Sequence, residues 1–281
     1  MDKPWSTREA RRSAVGMGVF LLAVAVMTAL LLAFLTPAGC RNGEMTPVPE
    51  NSFEQGAAQT AALEGGEAEK IVCLTFDDGP SAVTPRVLDV LAEEEVPATF
   101  FVMAAENNSA FLPLVEREVE EGNQVALHTA SHEYRRIYSD TDAYWQDIKH
   151  LRAALANYLD VDAIHYLRFP GGSTNTVSQK YGGSDIMKRL KAQAKEMGYR
   201  YIDWNVCAED AVGGHPSADT IFHNIVDGVG DKTTCVVLMH DTAATETTAE
   251  ALPRVIAWFK EQGFRFCTVE EMEARRAEKT E

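Results

Sequence analysis

The chain reads as an α/β protein with a mostly parallel sheet. Three observations predict this. Strand-like apolar runs end at Phe76, Val102, Leu127, Phe169, Val206, Met239 and near Thr268. Helical patterns fill the gaps between them, and strand–helix alternation is the mark of parallel strands joined by crossover helices. The residues able to do chemistry fall just after strand ends, where barrel geometry collects a site.

Taken in order, the N-terminal segment stands apart from that domain. Lys3, Arg8, Arg11 and Arg12 precede an uncharged, largely apolar run over 13–36. About twenty such residues span a bilayer as a helix, and the basic flank argues for a cytoplasmic N-terminus. Residues 1–12 are therefore expected as a cytoplasmic flank and 13–36 as a transmembrane or signal-anchor helix, single-pass in the cell membrane. The rest would be extracytoplasmic. The sequence PAGC at 37–40 resembles the end of a lipobox, so a lipoprotein held through Cys40 is an alternative, and cleavage with secretion is another. Residues 37–69 are rich in Gly, Pro, Ala, Thr and Glu and read as a flexible tether.

Residues 70–281 read as one folded domain with a sizeable core. Its first strand is the apolar run 71–76, ending in Asp77-Asp78-Gly79-Pro80. Helical patterns follow at 82–94, 110–121, 142–159, 185–197, 219–229 and 246–262. Residues 273–281 are charged and read as a solvated helix end or tail. The net charge of -16 argues against a nucleic-acid partner and against a basic membrane-surface patch. The five cysteines are Cys40, Cys73, Cys207, Cys235 and Cys267, and their spacing matches no zinc knuckle. Four lie in or beside strand runs, where buried free thiols are the default and a disulfide in an extracytoplasmic domain is the rival.

The chemistry concentrates in two places. Asp77 and Asp78 are adjacent, and carboxylates that close both ionise comfortably only when a cation holds one. His128 and His132 are four apart in HTASH, and on a helical turn such residues share a face. One Asp with two His is a metal set that leaves room for water and substrate. The other Asp is then free to act as a base. Each feature has a plainer reading: the Asp pair as a cap for the helix at 82–94, and the histidines as solvated surface residues.

Three further segments lie in order along the chain: RFPGG at 168–172, DWNVCAED at 203–210 and LMHD at 238–241. Together with TFDDGP at 75–80 and HTASH at 128–132, they resemble the motifs of the polysaccharide deacetylase family, carbohydrate esterase family 4, with its NodB-homology domain. The resemblance covers about residues 70–272. It implies a distorted (β/α) barrel with the site at the carboxyl ends of its strands. It also implies hydrolysis of N-acetyl groups on amino sugars, with peptidoglycan N-acetylglucosamine as the expected substrate beside a membrane tether. Chitooligosaccharide, exopolysaccharide and O-acetyl esters are alternatives, and a non-catalytic glycan-binding domain is the rival from another class.

The roles carried over are these. Asp78, His128 and His132 would bind a divalent metal, zinc before cobalt, nickel or iron. Asp77 would be the general base, oriented by Arg168. The Gly171 N–H would help bind the oxyanion. His240 would be the general acid, its ring held by Asp210. Asp241 is expected to be structural and Trp204 a core or barrel-mouth aromatic. Two departures stand out: Gly171 takes the place of an aromatic, and Ala211 follows Asp210 where many relatives have Trp. Both imply a wider or differently floored acceptor groove.

Overall fold

The computed structural model describes residues 69–279. The expected flank, anchor helix and tether at 1–68, and Cys40 among them, lie outside the described residues. Among the described residues, no helix is long and apolar enough to cross a membrane.

Eight strands form one sheet, and every pairing is parallel. They are β1 (Ile71–Asp77), β2 (Ala98–Met103), β3 (Gln124–Thr129), β4 (Tyr166–Leu167), β5 (Arg200–Tyr201), β6 (Val206–Cys207), β7 (Thr234–His240) and β8 (Arg265–Phe266). The order is β5-β4-β3-β2-β1-β7-β6, with β8 pairing the start of β1. The result is a half-barrel wrapped by helices rather than a closed ring. The path ends at β5 and β6, each only two residues long. These two are consecutive in the chain, so residues 202–205 cross directly from one end of the sheet to the other. Ile202 N–H donates to Leu167 and Asn205 N–H to Val236, which anchors that crossing.

Nine helices are described: α1 (Thr84–Glu93), α2 (Leu114–Glu120), α3 (Tyr134–Ile137), α4 (Thr141–Leu155), α5 (Gln179–Gly182), α6 (Ile186–Glu196), α7 (Ala218–Val229), α8 (Glu246–Glu261) and α9 (Val269–Glu278). Most fall where periodicity places them. α2 starts four residues later than expected because Pro113, which has no N–H to donate, sits at its N-cap. α4 begins cleanly because the Asp140 side chain accepts from Ala143 N–H. Of the charged tail expected at 273–281, residues 273–278 belong to α9. A capping box between Thr268 and Glu271 starts it, and Val269 and Met272 bury its inner face.

Side chains alternate across a strand, and here the two faces do different work. Val72, Leu74 and Phe76 of β1 join Phe100, Val102, Leu127, Val237 and Met239 beneath the helices. Residues of the other parity form a smaller cluster on the opposite, inner face, with Cys73, Phe101, Ala126, Tyr166, Val236 and Cys267. Asp77, His128, Arg168 and His240 share that inner parity. The period of two therefore delivers all four to one face at the carboxyl end.

Candidate active site

Asp77 ends β1 and Asp78 follows it, but neither caps a helix: Val83 holds the N-cap position of α1. The chain turns at Asp78 with φ +69. Asn108 ties the turn down, donating from Nδ2 to the carbonyls of Asp78 and Pro80 at 3.0 Å each.

His128 is the penultimate residue of β3. His132 lies in the loop beyond it at φ +55. The expected helical turn is absent: HTASH is a strand end followed by a tight loop that folds His132 back. Asp147 on α4 shapes that loop. Its carboxylate accepts from the N–H of Ala130 and Ser131 and from the Ser131 hydroxyl. Left-handed backbone at two non-glycine residues is strained and is kept only where the surroundings enforce it.

Oδ1 of Asp78 lies 3.4 Å from Nε2 of His128 and 3.5 Å from Nε2 of His132. Among the described residues, these three form the one cluster of His, Cys, Asp and Glu arranged to hold a metal ion. The set fits such an ion on two counts. Two ligand atoms each ~2.1 Å from a tetrahedral centre are ~3.4 Å apart, which matches the spacing here. Asp78 Oδ1 is also buried without a hydrogen-bond partner, a cost that a bound cation would relieve. The Nδ1 of His128 meets the Arg168 carbonyl at 2.8 Å, which directs Nε2 toward Asp78. Burial holds His128 below its ordinary pKa despite Asp77 and Asp78, keeping the neutral, ligating form. Burial opposes ionisation of Asp78, but His132, His128 and His240 outweigh it and hold the carboxyl below its usual value.

Asp77 faces a different partner. Arg168, fully buried, donates from Nη1 to Asp77 Oδ1 at 2.7 Å and to Thr75 Oγ1 at 2.8 Å. Nε and Nη2 donate to the carbonyls of Ile202 and Asp203, in the segment that crosses the sheet opening. The guanidinium lies 4.1 Å from the Phe101 ring centre. One side chain thus fixes the second Asp and stitches the mouth of the half-barrel.

His240 ends β7, directly beside Asp77 in register. Its Nδ1 meets Asp210 Oδ1 at 2.8 Å, and its backbone N–H donates to Asp210 Oδ2 at 2.7 Å. Thr248 Oγ1 donates to that same oxygen. Burial disfavours the charged ring, but Asp210, then Asp78 and Asp77, push His240 up to about 10. Asp210 is therefore a fixed partner of His240 rather than a surface acid.

Gly171 is exposed at φ +76, and no hydrogen bond among the described residues uses its N–H. Tyr138 donates to the Pro170 carbonyl, and Asp203 accepts from Ser173 N–H and Oγ, so the RFPGG loop is held on both sides. A Cβ on Gly171 would sit 2.6 Å from the Tyr134 hydroxyl. The space above this glycine is thus filled from α3, and Tyr134 also packs edge-on against His132. The missing aromatic is partly replaced by one from elsewhere in the chain. Trp204 lies 5.6 Å from the Arg168 guanidinium at the mouth, half-buried.

Asp241 is buried and accepts from the Thr84 hydroxyl. Its carboxylate occupies the space where a Cβ on Gly79 would lie, so this glycine is required for close approach. Burial pushes it up to about 7. Sequence reasoning missed the supports Asn108, Asp147, Asp203 and Thr75. A signal existed for Asp147, an acid on the apolar face of a helix; the others carry none in sequence.

A family model described as polysaccharide deacetylase matches residues 64–202. The peptidoglycan-N-acetylglucosamine deacetylase PgdA of Listeria monocytogenes is 35% identical over 73% of this chain, which spans 39% of that relative's length. A peptidoglycan-N-acetylglucosamine deacetylase of Bacillus cereus is 31% identical over 75% of this chain and 71% of its own. The solved catalytic domain of peptidoglycan N-acetylglucosamine deacetylase from Eubacterium rectale superposes with TM-score 0.67 at 34% identity, covering 73% of this chain and 90% of that one. A Streptococcus mutans CE4 esterase follows at TM-score 0.61 and 28% identity, covering 72% and 86%. On this likeness across the folded domain, the chain belongs to the polysaccharide deacetylase family.

Proposed function

We propose that the chain removes N-acetyl groups from amino sugars of a glycan, foremost N-acetylglucosamine of peptidoglycan, releasing acetate. One observation carries this reading. The two neighbouring acids have different principal partners: Asp78 lies between His128 and His132, while Asp77 holds the buried Arg168 at 2.7 Å and stands 3.8 Å from His128 Nε2. That division gives a metal ligand and a free base side by side.

Asp78, His128 and His132 would hold a divalent metal, zinc before cobalt, nickel or iron, which would supply polarisation of the acetyl carbonyl and a more acidic water. Asp77 takes the proton from the attacking water. Arg168 aims that base through its 2.7 Å contact with Oδ1. The free N–H of Gly171 faces the oxygen on which negative charge develops. His240, charged through its pairing with Asp210, protonates the sugar nitrogen as the carbon–nitrogen bond breaks. Acetate and a free amine result.

Relatives in Listeria and Bacillus are named for peptidoglycan N-acetylglucosamine. The basic flank and uncharged run at 13–36 support a single-pass membrane protein with its catalytic domain outside. Such a tether would place the domain beside the wall.

The test is acetate release by residues 69–281 after chelation and return of zinc, on peptidoglycan, N-acetylglucosamine oligomers and an O-acetylated xylan. Zinc-dependent release from peptidoglycan, lost in Asp77→Asn, is the expected result. Release from oligomers alone would move the substrate to chitin-like or exopolysaccharide chains. Release from xylan alone would make the chain an esterase. No release from any of the three, with metal bound, would overturn the catalytic reading.

A further inference from the structure

We propose that Cys73 and Cys267 form a disulfide that locks β8 and α9 onto the base of β1. Their sulfurs are 3.6 Å apart, and both side chains are buried. The pairing is built into the sheet register. Ile71 faces Arg265 and Val72 faces Phe266 in the parallel ladder, so Cys73 and Cys267 come next. Cys267 N–H donates to the Val72 carbonyl at 3.1 Å and fixes that step. Adjacent strands are ~4.8 Å apart, inside the Cα separations that a disulfide spans. Bond formation needs the sulfurs to close to ~2.05 Å, a side-chain rotation rather than a backbone shift.

The surroundings favour this pair over any other. Ile71, Phe101, Val236, Val269 and Met272 enclose it with apolar surface. Cys235 packs into the other cluster, on the far face of the sheet, and Cys207 sits half-buried on β6. The hydrogen bond from Cys73 holds the Cys267 thiol below its ordinary value. In the reaction the two thiols lose two protons and two electrons as the sulfur–sulfur bond forms. The electrons pass to an oxidant carrying a disulfide of its own, which is reduced to two thiols. Access comes through opening of β8, which pairs β1 over only two residues.

The link would join positions 194 residues apart. A tie over so long a span restricts the unfolded chain strongly. It also acts on a strand with a second duty: Cys73, Thr75 and Asp77 share the inner face of β1, so the bond braces the base of the strand that carries the two acids. None of this depends on the substrate or on turnover.

The test uses the full chain, exposed in its folded state to oxidised glutathione, then denatured with an alkylating reagent and mapped by mass spectrometry. The expected result is one cross-linked peptide pair joining Cys73 to Cys267, lighter by two hydrogen atoms than the reduced pair. Reduction should lower the Tm by roughly 5–10 °C. The shift should vanish in Cys73→Ala, and in Cys267→Ser if the first variant folds poorly. Full alkylation of both residues, a bond to another cysteine, or a bond that leaves the Tm unmoved would each overturn the proposal.

Discussion

The two faces of β1 divide the labour of the molecule. On one side Val72, Leu74 and Phe76 pack under the helices, with Phe76 stacked on Phe100 at 5.1 Å. On the other, Cys73, Thr75 and Asp77 run from apolar to charged toward the carboxyl end, where Arg168 meets the last two. The residues are neighbours in sequence, yet one set supplies burial and the other chemistry. A strand's period of two lets a single segment do both without compromise.

Substitutions on each face should separate these duties. Asp77→Asn is expected to have the largest effect, a fall in kcat of about 10²–10⁴-fold from loss of the base. A steady-state assay with bound metal measured in parallel checks it; retained turnover would remove Asp77 from the mechanism. Phe76→Ala, one residue earlier, should cost about 3–5 kcal/mol in denaturant unfolding. Its kcat per folded molecule should stay within a factor of about two, which separates a packing role from a transition-state one. A large drop in that kcat would blur the division between the faces.

Asp210→Asn should lower kcat by about tenfold or more and move the alkaline limb of its pH profile down by about one unit or more. The sign follows from the partner: Asp210 raises His240, whose charged form persists until pH passes about 10. Removing the carboxylate lets the ring lose its proton earlier. An unmoved limb would mean that His240 does not supply the proton.

The smallest effect is expected behind the site, on the helix side. Glu118 of α2 is fully buried with both oxygens unpartnered, and burial, then Asp241, holds it well above its usual 4.5. A raised carboxyl contributes stability that is complete below the unfolded value and is lost as pH rises toward the folded one. Glu118→Gln should therefore match the wild type within about 1 kcal/mol at low pH and gain on it from about pH 4.5 upward. Unfolding curves at several pH values check this; a constant difference would show that Glu118 does not titrate between the two states.

Much of the site was legible because its residues sit at strand ends, and period-two patterns mark strand ends well. Asp77, His128 and His240 are each the last or next-to-last residue of a long buried strand. The two histidines of HTASH meet Asp78, but not through a helical turn. Spacing of four suggested a helical turn, whereas the chain uses a strand end and a left-handed His132 held by Asp147. Arg168 was legible as a partner for Asp77. Its second duty, tying the crossing segment at Ile202 and Asp203, was not, since that depends on two short strands lying at opposite ends of the sheet. Tyr134 over Gly171 is of the same kind: residues 37 positions apart meet only through packing.

Sequence alone determined the α/β alternation, the strand faces and the identity of the acids, histidines and arginine. These are local properties, written in period, burial pattern and side-chain chemistry. Tertiary structure decided that the sheet stays open between β5 and β6, that Arg168 also ties Ile202 and Asp203, and that Tyr134 lies over Gly171. It also decided that two of the cysteines stand opposed across β1 and β8. Each of these depends on the register between distant segments, and register is settled by the packing of the whole core rather than by any one stretch of chain.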